Sequence, residues 1–480
     1  FMLVLVEFGF PARDVEWRGV HFSNHINSEG SRRIAAMFRE RLDWMPGPNA
    51  SNPLSVRDYL FGLRIAWGGM FVIQALALIA CWRMRPISPW LWTIGPVATC
   101  LVLLLYPPTS TDIYAYASFG WVADMGGNPY TDPPETIPGD PFARYNDWTH
   151  ITTPYGPIWT VLSHLFVHLS GGDPLVAALI FKGFTMLSAF ALAWVVYLLA
   201  GRFTDDLRLR TIALIIVLWS PILLTESTAT VHLDPFMMLF ALAGLLVATG
   251  TRFQSFRGGL LLVTASTLVK PATLPILGLL GLMRFIRPEP MRSVLGRVAL
   301  DVAAVVGMMA VAYAPYLEGD FVSSVNKMAH DVFLDRPMRS NPLWAWALSH
   351  IDGQLGLSDH LPGNAGSFSR TAVIIIVLIV AVIVTRHILR ERRIALAGGT
   401  EGLDHATLRF QIWAWAVTLA VLGILPLNGH AWYVIWCLGP MAILAVTDGH
   451  RIRTRPPVWL FALATWVTIS FMIYHTLQKR

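Results

Sequence analysis

Charged side chains are scarce in this chain. Asp, Glu, Lys and Arg supply 14% of the 480 residues, whereas a soluble domain carries about 25%. Hydrophobic residues supply 55%, and the mean hydropathy is +0.54. This balance excludes an ordinary soluble enzyme and a disordered chain. Apolar runs recur that are long enough to cross a bilayer as helices, so we predict an all-α, polytopic membrane protein.

Cysteine and lysine are also rare. Cys81, Cys100 and Cys437 lie within or beside apolar runs, and their spacing supports neither a cysteine metal site nor a disulfide framework. The net charge is +6, and most of the positive charge is carried by arginine, because only four of the 36 basic residues are lysine. Basic residues collect in the cytoplasmic loops of membrane proteins. No basic-aromatic pattern typical of nucleic-acid binding is present, so we predict no nucleic-acid partner.

Residues 1–58 differ from the rest of the chain. The stretch 16–42 is polar and ends in an arginine-rich amphipathic helix. A stretch beginning at His25 resembles the last sequence block of SGNH-type hydrolases, but Phe22 stands where that family places an aspartate, and no nucleophile block precedes it. We predict an extramembrane segment, either a remnant of an SGNH-like domain or a capping segment, followed by a transmembrane domain over 59–480. Because the sequence begins with Phe, we expect a fragment or a processed form.

About twelve apolar segments are candidates for membrane helices. They are expected near 59–82, 88–106, 174–200, 211–226, 232–249, 257–270, 272–285, 298–316, 371–388, 408–425, 431–447 and 457–475. The pair around Lys270-Pro271 is short and interrupted there. Two half-length helices that meet at a polar break predict a broken or re-entrant element, which is tolerated only against protein or a cavity.

Arginine positions predict how these helices are oriented. Six arginine-rich connections alternate along the chain, and all six can be cytoplasmic if 157–169 lies along the outer surface. The long polar segments then gather on the opposite face. They are 107–156, 226–234, the Lys270 break, 317–370 and 426–432. A transporter is expected to place its polar groups near the midplane, so the one-sided distribution favours an enzyme.

The first outer loop carries the densest pattern of polar and aromatic residues. Asp112 is followed closely by Tyr114 and Tyr116, and Tyr155 comes later in the loop. A carboxylate at this depth can accept a proton from an acceptor hydroxyl. The same pattern is typical of an interfacial aromatic belt with an aspartate cap, and the residues alone leave both interpretations open.

Three cationic residues on the same face are candidates for binding phosphate. Lys270 interrupts an apolar run, where a lysine usually has a function or a partner; the alternative to phosphate is an ion pair, for instance with Glu226. Arg336 and Arg339 lie in a later outer loop. Their guanidinium groups suit phosphate, and the alternative is pairing with a neighbouring aspartate.

Two further clusters lie on this face. His430 is a candidate contact for the donor phosphate or the sugar, or else a structural histidine. Trp432 and Tyr433 could stack on a sugar or anchor the interface. His232 and Asp234 form a His-x-Asp pair, which by itself is weak support for a metal. We predict no metal and no other cofactor.

These pieces together resemble the GT-C glycosyltransferases, and most closely the actinobacterial-type polyprenyl-phosphate-mannose-dependent mannosyltransferases. The matching pieces are Ser110-Thr-Asp112-Ile-Tyr114-Ala-Tyr116, Gly127-Asn-Pro-Tyr130, Asp140-Pro-Phe, Pro154-Tyr155-Gly-Pro-Ile-Trp159, the stretch from Trp219 to Glu226, His232-Leu-Asp234, Leu268-Val-Lys270-Pro and His430-Ala-Trp432-Tyr433. Leu233 departs from the family's His-Asn-Asp element. The resemblance covers residues 100–450 and implies a GT-C fold whose long first outer loop carries surface helices.

The resemblance implies an inverting glycosyl transfer at the extracytoplasmic face of the plasma membrane. Asp112 would be the catalytic base that takes the proton of a hydroxyl on a glycan or glycolipid acceptor. The sugar, mannose in the family, would come from a polyprenyl-phosphate donor, whose phosphate leaves without an acid if positive charge receives it. The other candidate residues would bind the substrates. A lipid-linked-sugar flippase or another transporter is the alternative, because many spans, a broken helix and a lysine in the membrane fit it as well.

Overall fold

The structure, a computed structural model, describes residues 29–41, 56–108, 110–249, 256–317, 322–323, 365–397, 405–424 and 431–447. Throughout these ranges the regular elements are helices, so the prediction of an all-α fold is confirmed. The predicted segment 457–475 lies outside the described residues, as do Arg336, Arg339 and His430.

The described helices are numbered here in chain order. The first group is α1 (Glu29–Arg41), α2 (Val56–Arg83), α3 (Ile94–Leu105), α4 (Asp112–Asp124), α5 (Pro157–Ser170), α6 (Pro174–Ala200), α7 (Leu207–Leu218) and α8 (Pro221–Thr228). The second group is α9 (Asp234–Ala248), α10 (Phe256–Val269), α11 (Leu274–Leu282), α12 (Met291–Tyr313), α13 (Ala365–Leu396), α14 (His405–Ile424) and α15 (Val434–Thr447). Short 3-10 turns at Pro271–Thr273 and Ala431–Tyr433 precede α11 and α15.

Several of these helices are able to cross a membrane. Within the described ranges, four are long and apolar enough by themselves: Pro174–Ala200, Met291–Tyr316, Ala372–Leu396 and His405–Gly423. The bent pair formed by α7 and α8 makes a fifth span if it is taken as one. The other apolar helices of these ranges are shorter, with 10–17 residues. The chain is therefore a membrane protein, but the expected number of about twelve spans is not confirmed.

Two breaks interrupt the apolar helices. Helix α10 ends before Lys270, whose backbone is extended (φ −152°, ψ 126°), because the residue before Pro271 is kept out of the helical region. The prediction of a break at Lys270 is confirmed. The second break lies at Ser220-Pro221, where α7 and α8 bend by 48°. The apolar segment predicted at 211–226 is therefore not one continuous helix, because the Ser220 side chain caps a new helix there.

Helices α9 and α10 approach each other through two glycines. A Cβ added to Gly244 would lie 2.7 Å from the Gly259 carbonyl oxygen, and a Cβ on Gly259 would lie 2.5 Å from the Gly244 carbonyl oxygen. Such small-residue contacts let the backbones of membrane helices pack closely. This packing positions the two helices side by side, with Asp234 at the start of α9 and Lys270 just after the end of α10.

The first outer loop is built on the pair α4 and α5. Gly120 allows their close contact, because a Cβ there would overlap the backbone carbonyl of Ser163. Helix α5 coincides with the segment predicted to lie along the surface, and it ends at Gly171, whose φ of +59° is the left-handed conformation that glycine favours. The Asp173 carboxylate then caps α6 by accepting two backbone N–H groups. The loop thus has a helical frame of its own.

Helix α1 packs against this loop. Ile34 and Phe38 are buried, and the Arg41 guanidinium forms an ion pair with Asp173, with 2.9 Å between Nη1 and Oδ2. The last part of the polar N-terminal segment therefore lies on the same face as the loop. The division of the chain at residue 58 stays a prediction.

Lys182 binds the chain where the first outer loop begins, at the end of α3. Its side chain is buried in α6, and its ammonium group donates hydrogen bonds to the carbonyl oxygens of Leu103 (2.8 Å) and Tyr106. Carbonyl groups at the end of a helix have no partner within the helix, and Lys182 supplies one to the end of α3. This contact fixes the point from which the chain leads to Asp112.

Candidate active site

Residues far apart in sequence meet beside the N-terminus of α4. Asp112 is its first residue, His232 and Asp234 come from the start of α9, and Lys270 comes from the break after α10. The turn before α15 adds aromatic rings. Asp234 begins α9 and Lys270 follows α10, so both lie at the ends of these two helices that are opposite the connection between them.

Asp112 is held in place and remains accessible. Its Oδ1 accepts a hydrogen bond from the Trp148 indole (3.1 Å), and its backbone N–H donates to the Ser110 hydroxyl (3.2 Å). Its Oδ2 lies 3.4 Å from His232 Nε2, and 16% of the side chain is exposed. A carboxylate that is oriented on one side and open on another has the arrangement that a general base requires.

His232 joins two carboxylates. Its Nδ1 lies 2.7 Å from Glu226 Oε2, and its Nε2 faces Asp112 at the longer distance of 3.4 Å. Burial opposes the charged form of the imidazole, but the hydrogen bonds and the charges of Asp112 and Glu226 outweigh it and raise the pKa of His232 to about 9. The imidazole is therefore protonated at neutral pH.

The backbone beside His232 is strained. Val231 has a φ of 66°, the one non-glycine residue with positive φ among those the structure describes. A β-branched residue rarely adopts this conformation, which costs about 1–3 kcal/mol and is common at functional sites. The turn it makes returns the chain to α8, where the His232 N–H donates to the Glu226 carbonyl oxygen (2.7 Å).

Lys270 pairs with Asp234, with 2.8 Å between Nζ and Oδ1. The same oxygen accepts a hydrogen bond from the Trp436 indole (2.5 Å). The ammonium group also lies over two rings, 4.5 Å from the centre of Tyr433 and 5.1 Å from that of Trp436. The suggested pairing of Lys270 with Glu226 is wrong, because Glu226 is occupied by His232.

Trp432 and Tyr433 form an aromatic wall on this group. The Trp432 ring stacks on the His232 imidazole, with centroids 4.2 Å apart and planes at 10°. Tyr433 stacks on Trp436, also at 4.2 Å. These contacts attach the turn before α15 to both charged pairs. Flat rings at such a site can also stack on a sugar.

The three candidate tyrosines have different positions. Tyr116 and Tyr155 contact each other with ring centroids 5.1 Å apart. Burial raises the pKa of both phenols well above the ordinary range, and the negative charges of Asp112 and Asp234 raise it further, so both remain neutral hydrogen-bond donors next to the site. Tyr114 faces elsewhere: its hydroxyl donates to the Pro174 carbonyl oxygen (3.3 Å), so the structure does not bring it into the group.

Three residues of the site were not singled out as site residues from the sequence. Trp148 and Trp436 are two of 19 tryptophans, and nothing in their spacing distinguishes them. Glu226 had a usable signal, because it is a carboxylate inside an apolar helix, where an ionisable residue indicates a function or a partner. Within the described ranges, no three His, Cys, Asp or Glu side chains are grouped so that they could hold a metal ion; the expectation of no cofactor stays a prediction.

Gly156 connects the first outer loop to the Lys270 break. Its N–H donates to the Val269 carbonyl oxygen (3.0 Å), and a Cβ would overlap the backbone of Leu268. We expect Gly156→Ala to push the loop away from α10, at a cost of about 1–3 kcal/mol, with a lower thermal unfolding midpoint and lower activity. Gly183→Ala is the matched control, because its Cβ would meet nothing within 4 Å. Equal midpoints for the two variants would contradict the expectation.

Comparison with known proteins identifies the family. Residues 40–286, just over half of the chain, match the family described as alpha-(1->6)-mannopyranosyltransferase, N-terminal domain. The chain belongs to this family. The resemblance inferred from the sequence is therefore confirmed.

Two curated relatives carry the name alpha-(1->6)-mannopyranosyltransferase A. The Corynebacterium glutamicum protein is 26% identical over 182 residues, which is 37% of this chain and 36% of that protein. The Mycobacterium tuberculosis protein is 26% identical over 385 residues, which is 77% of this chain and 67% of that protein. The chain thus matches about a third of the length of the first relative and two thirds of the second.

Two solved structures share a distant similarity. Both are archaeal oligosaccharyltransferases from Archaeoglobus fulgidus, one in complex with an inhibitory peptide and a dolichol-phosphate, the other with Zn and sulfate. The TM-scores are 0.37 and 0.38, at 11% and 14% identity. They cover 86% and 85% of this chain and 55% and 53% of the other chains. Scores this low do not assign a fold.

Proposed function

We propose that the protein is an inverting mannosyltransferase of the plasma membrane. It moves mannose from a polyprenyl-phosphate donor to a hydroxyl of a glycan or glycolipid at the extracytoplasmic face. The observation that carries the proposal is the oriented, partly exposed Asp112 carboxylate beside His232. Membership of a family named for mannosyl transfer supports it, and the names of the relatives favour an α-(1→6) linkage in the product.

The proposed reaction is a single nucleophilic displacement at the anomeric carbon of mannose. The acceptor hydroxyl loses its proton to Asp112 and attacks the anomeric carbon of mannose. The bond between that carbon and the phosphate oxygen breaks, and the electron pair leaves with polyprenyl phosphate. Attack from the face opposite the leaving group inverts the configuration. Such a leaving group needs positive charge and hydrogen-bond donors rather than an acid.

Two cations of the described site are available near the reacting atoms. Lys270 pairs with Asp234 and lies over the rings of Tyr433 and Trp436, and His232 lies between two carboxylates. Arg336, Arg339 and His430 stay candidates for the donor phosphate. Trp432 and Tyr433, with Tyr116 and Tyr155, are proposed to contact the sugars. Tyr114 is proposed to support the loop rather than to touch a substrate.

The test uses the full chain purified in detergent. It is supplied with polyprenyl-phosphate mannose labelled in the sugar and with an α-(1→6)-linked dimannoside that bears an alkyl chain. We expect label in the trisaccharide and release of one polyprenyl phosphate for each sugar transferred. A flippase, which leaves the donor intact, would release no polyprenyl phosphate, and that result with folded protein would contradict the proposal.

A further inference from the structure

Three ionisable groups form a line that extends away from the site. Asp112 is the partly exposed end, His232 stands in the middle, and Glu226 is the buried end. The distances along the line are 3.4 Å and 2.7 Å. Glu226 belongs to α8, and its side chain is only 8% exposed. A carboxylate in this position is costly unless it is paired, and Lys270, the partner suggested by the sequence, is paired with Asp234.

The surroundings of Glu226 fix the direction of the imidazole. The Thr230 hydroxyl donates to the same Oε2 that contacts His232 (2.6 Å). The Glu226 backbone carbonyl oxygen also accepts a hydrogen bond from the His232 backbone N–H. Glu226 therefore contacts His232 through both its side chain and its backbone. The strained Val231 makes the turn, and Trp432 covers one face of the ring. A histidine needed only for packing would not require this set of contacts.

We propose that Glu226 is a positioning residue that acts on Asp112 through His232. It holds the imidazole in its charged form, with Nε2 at ion-pair distance, 3.4 Å, from one carboxylate oxygen of Asp112. Asp112 is thereby kept ionised and oriented for the acceptor hydroxyl. This proposal rests on the proposed function, since it assigns a role in the same reaction.

The proton balance of this arrangement is simple. During transfer the acceptor proton moves to Asp112 only, and the imidazolium keeps its own two protons. Asp112 returns its proton to water after the product has left. Glu226 neither gains nor loses a proton. The assembly therefore differs from a relay in which the histidine itself takes the substrate proton.

The charge on His232 depends on the other charged and titratable groups around it. Asp112 approaches from α4 and Glu226 from α8. The Lys270–Asp234 pair lies beside them and is internally neutral. Tyr116 and Tyr155 are neutral phenols. Glu226 is thus the group whose removal changes the charge on His232 without touching Asp112.

The first experiment is the pH profile of Glu226→Gln in the mannose-transfer assay. Glutamine can still accept a hydrogen bond but carries no charge, so the imidazole loses its proton at lower pH. Without the adjacent positive charge, the Asp112 carboxyl ionises at higher pH. We expect the acid limb of kcat/KM to move up by about one pH unit, hence about tenfold lower activity below it. The KM for the donor should stay unchanged.

Thr230→Val is the matched control for this profile. It removes a hydrogen bond to Glu226 but leaves the charge, so kcat should fall modestly while the acid limb keeps its position. If Glu226→Gln folds and shows the wild-type acid limb, the proposal is overturned. A shifted limb in Thr230→Val of equal size would also overturn it, because the effect would then come from packing.

A second measurement does not depend on turnover. In protein labelled with ¹⁵N-histidine, the resonance missing from His232→Gln identifies His232. We expect two protonated ring nitrogens at pH 7.5 in the wild type and a neutral ring in Glu226→Gln. A neutral ring in the wild type would refute the positioning role even if Glu226→Gln failed to fold. A charged ring in a wild type that transfers no mannose would instead refute the proposed function and leave the charge assignment standing.

Discussion

Asp112→Asn is expected to lower kcat for mannose transfer by about 10²–10⁴-fold. Asparagine keeps the shape of the side chain and can still accept the Trp148 hydrogen bond, which has a length of 3.1 Å in the native site. It cannot take a proton from the acceptor hydroxyl at neutral pH. The binding of the donor should change little, since the donor is expected to meet the cations rather than this carboxylate.

The measurement is the initial rate of label transfer, with donor affinity determined separately. Asp124→Asn is the matched control, because Asp124 ends the same helix and contacts only His164 and His168 at the surface in the described contacts. The control should keep its turnover. Wild-type turnover by a folded Asp112→Asn protein would remove Asp112 from the role of base.

Asp234→Ala is expected to destabilise the protein by about 3–5 kcal/mol. Asp234 is 1% exposed and Lys270 is 17% exposed, so removing the carboxylate leaves a largely buried ammonium group without its countercharge. The Trp436 indole also loses its acceptor. The thermal unfolding midpoint in detergent should fall, and activity should fall with it.

A second substitution tests whether the unpaired Lys270 ammonium group causes this loss of stability. In the double variant Asp234→Ala with Lys270→Met, the ammonium group is gone, and part of the lost stability should return. Arg41→Ala breaks an exposed pair with Asp173, and should cost at most about 1 kcal/mol. A double variant no more stable than Asp234→Ala alone would contradict the assignment of the cost to Lys270.

The sequence indicated Asp112 more clearly than it indicated the pairing of Lys270 with Asp234. Asp112 was a candidate because a carboxylate followed by two tyrosines begins a polar loop after an apolar helix, although this pattern also suits an interfacial aspartate cap. The pairing of Lys270 was not evident, since Glu226 and Asp234 are both acidic residues on the same face. Tyr114 belongs to the same sequence motif as Tyr116, but a helix turns each following residue by about 100°, which separates the two rings.

The sequence by itself determined the class of the protein and the break at Lys270. These features depend on composition and on the backbone restriction before proline, which act locally along the chain. The tertiary structure alone decided the partners: His232 with Glu226 and Asp112, and Lys270 with Asp234. Such pairs depend on how helices pack across long sequence separations, through contacts such as Gly244 with Gly259, and no local pattern encodes that geometry.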